Sequence, residues 1–201
     1  MAGGSGLEAD VDVAETRLPG VFVFTPEPVR DERGTFSESF RSDEVEAATG
    51  RPFRAEQINY SVSRRNTLRG IHGVAVPPGQ AKYVTCVRGV LRDIVVDLRV
   101  GSPTFGMHHV TELDTGSGRC VYVPEGVGHG FLALTDDACI CYVVSTLYVP
   151  GTQIDVNALD PDLALPWELS EPPLMSAKDA KAPGAQEALR RGLLANWSDV
   201  R

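Results

Sequence analysis

His72 closes the run Leu68-Arg69-Gly70-Ile71-His72, with Gln80 and Lys82 shortly downstream and His129 and Tyr142 on later runs. An imidazole with an ordinary pKa of about 6.5 can take a proton near neutral pH, a lysine can hold developing negative charge, and a phenol can give a proton back. Taken alone, His72 reads as a hydrogen-bonded core histidine. Its neighbours change that reading, because they add a cation and a proton donor to a base on one scaffold. Lys82 shares strand parity with Val84 and Cys86, and Tyr142 with Ile140 and Val144. Each polar group therefore stands on an apolar face, where a lysine is costly to bury unless it is paired or has a task. Tyr142 carries less weight alone, since buried tyrosines with a satisfied hydroxyl are common.

Metal chemistry is the competing use of such a histidine. Small β-barrels hold iron, manganese or zinc through a His-x-His pair, a carboxylate and a later histidine. Here His72 is followed by Gly73-Val74, and Gln80 and Lys82 stand where a carboxylate ligand would be sought. A lysine in the first coordination sphere repels a cation, so no metal and no cofactor are expected. The adjacent pair His108-His109 points to opposite faces of a strand and is a poor chelator.

The elements that must position these residues are short strands. Runs rich in Val, Ile, Tyr and Thr, separated by glycine and proline turns, predict strands over Tyr83–Val87, Leu91–Leu98, His108–Leu113, Cys120–Val123, His129–Leu134 and Cys139–Thr146. No helix intervenes, which argues for an antiparallel sandwich or jelly-roll barrel over a parallel α/β sheet. In such a barrel alternate residues face inward, so polar residues of inward parity mark a site. In an ideal strand Arg69 and His72 have opposite parity, and both face inward only if Gly70 makes a bulge. Upstream, Val21–Phe24 and Phe36–Phe40 read as strands around a turn from Pro26 to Gly34. A short helix follows, with Ser42 or Asp43 as cap and Gly50 as stop. After Pro150 the chain is irregular and proline-rich, with a final helix over Ala185–Arg191 ended by Gly192.

With 201 residues and 42% hydrophobic content, one domain over residues 16–201 is expected, preceded by a loose acidic tail over residues 1–15. The formal net charge of -8 disfavours a nucleic-acid binder, so an anionic ligand must meet a local cluster of arginines and lysines. The four cysteines form no CxxC pair and read as reduced apolar residues. No leader and no membrane-length apolar run is evident, and a cytoplasmic protein is expected.

The ordered motifs resemble one family. They are Asp31-Glu32-Arg33-Gly34, Gln57-Ile58-Asn59-Tyr60-Ser61, Leu68-Arg69-Gly70-Ile71-His72, Gln80-Ala81-Lys82, Gly101-Ser102-Pro103-Thr104-Phe105-Gly106, Pro124-Glu125-Gly126-Val127-Gly128-His129-Gly130-Phe131, Tyr142 with Tyr148, and Ser176-Ala177-Lys178-Asp179. The chain resembles the dTDP-4-dehydrorhamnose 3,5-epimerases from about Val21 to Pro183. The resemblance implies a mainly β, cupin-type jelly-roll barrel with short flanking helices, acting without metal on dTDP-4-keto-6-deoxyglucose or a close relative. It implies His72 as the base beside the ketone, Asp179 as the carboxylate orienting it, Lys82 as the holder of the enolate oxygen, and Tyr142 as the proton donor on the far face. Arg33, Arg69 and Lys178 match diphosphate and sugar contacts, Gln57, Asn59 and His129 further polar contacts, and Tyr148 the aromatic stacked on thymine. Glu38 matches a contact near the nucleoside, often made across a homodimer interface. The resemblance also implies that homodimer, with amino-terminal strands crossing to the partner.

Two positions depart from the family pattern. Gly73-Val74 replaces an aromatic and a glutamine after the base, and Gln153 stands where a glutamate follows the stacking tyrosine. Space beside the base bears on whether C3, C5 or both are inverted. The spacing Pro77-Pro78-Gly79-Gln80-Ala81-Lys82-Tyr83 is similar to branches that make deoxysugars for natural products. A cupin 3,4-ketoisomerase, an inactive sugar-nucleotide-binding cupin and a metal-dependent cupin oxygenase are the alternatives.

Overall fold

The computed structural model describes residues 10–200. Thirteen strands build it: β1 Val11–Glu15, β2 Phe22–Pro26, β3 Val29–Asp31, β4 Gly34–Phe36, β5 Gln57–Ser63, β6 Leu68–Val74, β7 Lys82–Arg88, β8 Val90–Asp97, β9 His108–Asp114, β10 Cys120–Val123, β11 Val127–Ala133, β12 Ala138–Val144 and β13 Gln153–Asp155. The helices are α1 Ser42–Thr49, α2 Ala177–Ala180 and α3 Ala185–Arg190, with a 3-10 turn at Trp197–Asp199. None is long and apolar enough to cross a membrane.

Two antiparallel sheets face each other, in the orders β1-β2-β10-β7-β12-β5 and β13-β6-β11-β8-β9, which is the jelly-roll arrangement of a cupin-like barrel. Strand alternation sorts the side chains. Val84, Cys86, Leu91, Val95, Val121, Phe131 and Ile140 meet between the sheets as the inner core. The opposite parity of β8, Ile94 and Val96, packs with Leu163, Trp167 and α3 on the outer face of the five-stranded sheet. On the outer face of the other sheet, Tyr83 and Tyr122 pack with Phe24, Phe53 and Val45 of α1.

Several boundaries differ from the sequence expectation. Residues 1–9 of the expected tail lie outside the described residues, but Val11–Glu15 is a strand paired along its whole length with β2. Its alternation of Val11 and Val13 lets it cover the edge of the six-stranded sheet. The strand expected over Phe36–Phe40 is instead the end of a small hairpin, β3 against β4. Phe40 turns away to pack edge-on against Phe53 and Tyr83. Helix α1 takes neither Ser42 nor Asp43 as cap. Arg41 occupies that position, and the Asp43 carboxylate is held by the Arg41 guanidinium at 2.6 Å. Gly50 stops the helix as expected, at φ +68. Beyond Pro150, a three-residue strand, β13, adds to the edge of the five-stranded sheet next to β6.

Candidate active site

The interior is apolar toward β10 and polar toward β5 and β6. Residues opposite each other in a ladder share a face, so the register of β5 with Tyr142 and Ile140 turns Gln57, Asn59, Ser61 and Ser63 inward. The β6 ladder carries a bulge. Arg69 pairs with Phe131 and His72 with His129, so two residues, Gly70 and Ile71, stand opposite one, Gly130. Gly70 absorbs the extra residue at φ +124, where a Cβ would lie 2.6 Å from the Gly130 backbone, so only glycine fits. The bulge turns both Arg69 and His72 inward, and the Arg69 Nε donates to Ser63 Oγ at 3.1 Å.

His72 sits at the mouth of the barrel, where a cleft of about 170 Å³ is lined by His72, Gly73, Gln80, Lys82, Tyr148 and Gln153, among others. Its Nε2 lies 2.8 Å from Asp179 Oδ1 and 3.7 Å from Asp155 Oδ1. A carboxylate only accepts, so Nε2–H donates to Asp179 and Nδ1 is the nitrogen left free to take a proton. Burial holds the imidazole pKa below its ordinary value, against the opposing pull of Asp179. Asp179 is positioned by a helix cap: Ser176 Oγ accepts from the Asp179 backbone N–H at 3.0 Å in the first turn of α2.

Lys82 projects from β7 with its Nζ donating to the His72 carbonyl at 3.3 Å. Burial pushes its pKa down to about 8, with Asp155 pulling the other way. Lys178 Nζ meets Asp155 Oδ2 at 3.0 Å. Tyr148 is 63% exposed on the cleft rim, and its N–H donates to Gln57 Oε1, whose amide in turn donates to Asn59.

Deeper inside stands a second imidazole–carboxylate pair. His129 Nε2 and Asp93 Oδ2 are 2.5 Å apart, with the residues 3% and 1% exposed. The His129 ring packs edge-on against Tyr142, at 5.9 Å between centroids and 87°. Burial raises the Tyr142 phenol pKa well above its ordinary value, the Ser61 hydroxyl lowers it, Asp93 raises it and the Arg69 cation lowers it.

The fold thus brings His72, Lys82, Gln153 and Tyr148 to the walls of one cleft. Asp179 holds His72, Lys178 is paired with Asp155 beside it, and Gln57 and Asn59 are linked to Tyr148 by hydrogen bonds. Arg69, Tyr142 and His129 stand on the inward faces of the two sheets. Arg33 and Glu38 do not line this cleft within one chain. Arg33 lies on the β3–β4 hairpin, its side chain 89% exposed and bound to Asp31. The sequence reading missed two acids. Asp155 rides on β13, too short to show a period. Asp93 shares parity with Leu91 and Val95, the same signal that singled out Lys82, and could have been found by it.

His72, Asp155 and Asp179 offer three ligand atoms within 4.8 Å of one another, a set that can hold a cation. A metal there competes with Lys178 for Asp155 and with the His72–Asp179 hydrogen bond, and meets the Lys82 charge.

A model of the dTDP-4-dehydrorhamnose 3,5-epimerase family matches residues 15–187. A dTDP-4-dehydrorhamnose 3-epimerase of Streptomyces niveus is 50% identical over 90% of this chain and 87% of its own. A dTDP-4-dehydrorhamnose 3,5-epimerase of Mycobacterium tuberculosis is 41% identical over 93% of this chain and 94% of its own. Among solved structures, NovW, a 4-keto-6-deoxy sugar epimerase from the novobiocin cluster of Streptomyces spheroides, superposes with a TM-score of 0.93 at 47% identity, covering 96% of both chains. ChmJ, a 3'-monoepimerase of Streptomyces bikiniensis solved with dTDP-quinovose, superposes at 0.88 with 42% identity, covering 92% of this chain and 93% of that one.

Proposed function

The chain belongs to the dTDP-4-dehydrorhamnose 3,5-epimerase family, and from that premise we propose that it epimerises a dTDP-linked 4-keto-6-deoxy sugar in natural-product deoxysugar biosynthesis. The observation that carries the reading is an imidazole with one nitrogen fixed by Asp179 and the other free, beside a half-buried lysine at the same cleft.

In this reading His72 Nδ1 takes the proton from the carbon next to the C4 ketone. The electron pair moves onto the keto oxygen, and the Lys82 ammonium stabilises the enolate; one such donor supplies roughly 3 to 4 kcal/mol of barrier. Asp179 stabilises the imidazolium. Tyr142, held protonated by its surroundings, then gives its proton to the opposite face as the enolate collapses to the ketone. The phenolate and imidazolium exchange protons with solvent to reset. The names of the relatives quoted from Streptomyces niveus, Mycobacterium tuberculosis and Streptomyces bikiniensis share position 3, so we place the first deprotonation at C3.

The nucleotide end is assigned to the rest of the site. Arg69 and Lys178 meet phosphate or sugar oxygens, Tyr148 offers an exposed ring for thymine, and Gln57, Asn59 and Gln153 supply polar contacts. Arg33 and Glu38 are assigned to the cleft of a partner in a homodimer. Edge strand β5 supports such a dimer, with Ile58, Tyr60 and Val62 outward at 66%, 74% and 43% exposure. The four free cysteines fit a reducing cytoplasm.

Incubation with dTDP-4-keto-6-deoxyglucose in D₂O tests the proposal. Deuterium enters at C3, with NMR of the product giving its configuration; absence of label at both C3 and C5 sinks the reading.

A further inference from the structure

The pair Asp93–His129 has no place in the chemistry above, yet it is among the most buried polar pairs in the protein. Asp93 stands on the inward face of β8 between Leu91 and Val95, and His129 on the inward face of β11 between Val127 and Phe131. A carboxylate in such surroundings is costly to desolvate, and an apolar pair of similar size would fill the same space at equal or better stability. The barrel does not need this pair to close. What it does is fix one ring. With Nε2–H bonded to Asp93, the imidazole cannot turn about its Cβ–Cγ bond without leaving a buried N–H and a buried carboxylate unpartnered. The fixed ring is the wall against which Tyr142 packs edge-on.

We propose that Asp93 is a positioning residue for proton return: it locks His129, and through that ring it holds the Tyr142 hydroxyl at the face of the enolate opposite His72. This inference rests on the epimerase reading and deepens it. The influence runs through geometry and charge together, because the Asp93 charge also helps keep the phenol protonated. Removal of His72–Asp179 chemistry stops the reaction at its first step. Loss of Asp93 acts later, after the carbon-bound proton has left.

That order gives the test a readout that a merely structural residue does not move. When an enolate forms but is not protonated from the far face, His72 returns a proton, by then exchanged with solvent, to the original face. The recovered substrate then carries deuterium without inversion. In D₂O, Asp93→Leu, which removes the acceptor for the His129 Nε2–H, is expected to invert roughly 100-fold more slowly, the scale of loss for a group displaced by about 1 Å. Its exchange into unepimerised substrate stays near the wild-type rate, and dTDP affinity stays close to wild type. If Asp93→Leu alone does not fold, the doubly apolar replacement Asp93→Leu with His129→Leu removes both partners and leaves neither unpaired; the same excess of exchange over inversion is expected. Exchange and inversion that fall in step, or that are both unchanged, overturn the role of Asp93. Failure of the wild-type protein to exchange at all overturns the epimerase reading itself, and this inference with it.

Discussion

Two imidazole–carboxylate pairs face the interior of one barrel, and they differ mainly in what surrounds them. His72 and Asp179 lie at the mouth, with side chains 29% and 6% exposed, beside Lys82, Lys178 and a second carboxylate, Asp155. His129 and Asp93 lie deeper, at 4% and 1%, against Tyr142 and apolar strands. The hydrogen bond is similar in both, at 2.8 Å and 2.5 Å. A base needs access to a substrate carbon and a route for its proton to solvent, and of the two rings His72 lines the cleft. The sealed pair lacks access and gains rigidity, which suits the support of another group. Chemical identity of a pair is therefore a poor guide to its role; its distance from open space decides.

The largest effect that tests this contrast is truncation of the exposed ring. His72→Ala is expected to lower both exchange and inversion by about two to four orders of magnitude, whereas truncation of His129 spares exchange and lowers inversion. Equal loss of exchange in the two variants would erase the distinction between them.

The pH profile sharpens the account of the mouth. His72 acts when neutral, and burial holds its pKa below 6.5, so kcat/KM falls with acidity only as pH drops below that value. Lys82 acts when charged, and its pKa of about 8 means that activity declines as pH rises through that region. Lys82→Arg, a guanidinium that does not lose its proton in this range, moves the alkaline limb upward. An alkaline limb that stays put in this variant assigns it to another group.

The smallest expected effect concerns how each carboxylate is held. Asp93 is placed by a long strand in the middle of a sheet, Asp179 by a four-residue helix and the Ser176 cap. Ser176→Ala is expected to cost about 1 kcal/mol of stability in denaturant unfolding and to lower kcat modestly, with exchange and inversion reduced together. Retention of full stability and rate would show that the cap does not carry Asp179.

Much of the barrel is legible in the sequence because alternation is a local property. Two-residue periodicity reports which side chains share a face, and it marked Lys82 and Tyr142 as polar groups among Val84, Cys86 and Ile140, all of which point into the inner core. The same test applied to Asp93 would have found it. Glycine stops such as Gly50 are equally local, since a left-handed turn favours that residue whatever lies around it. Partnership is not local. Asp179 reaches His72 across 107 residues, and Asp93 reaches His129 across 36, through the closure and register of two sheets. Strand β1 reads as an acidic tail until an open sheet edge pairs it, and β13 is too short to show a period. The opposite parity of Arg69 and His72 was visible as a conflict in the sequence, and a bulge at Gly70 resolves it where β6 meets β11. The sequence by itself determined a barrel of alternating strands with a base, a cation and a phenol on its inward faces. The tertiary structure decided which carboxylate serves which ring and which ring meets open space, because both depend on contacts made only when distant strands come into register.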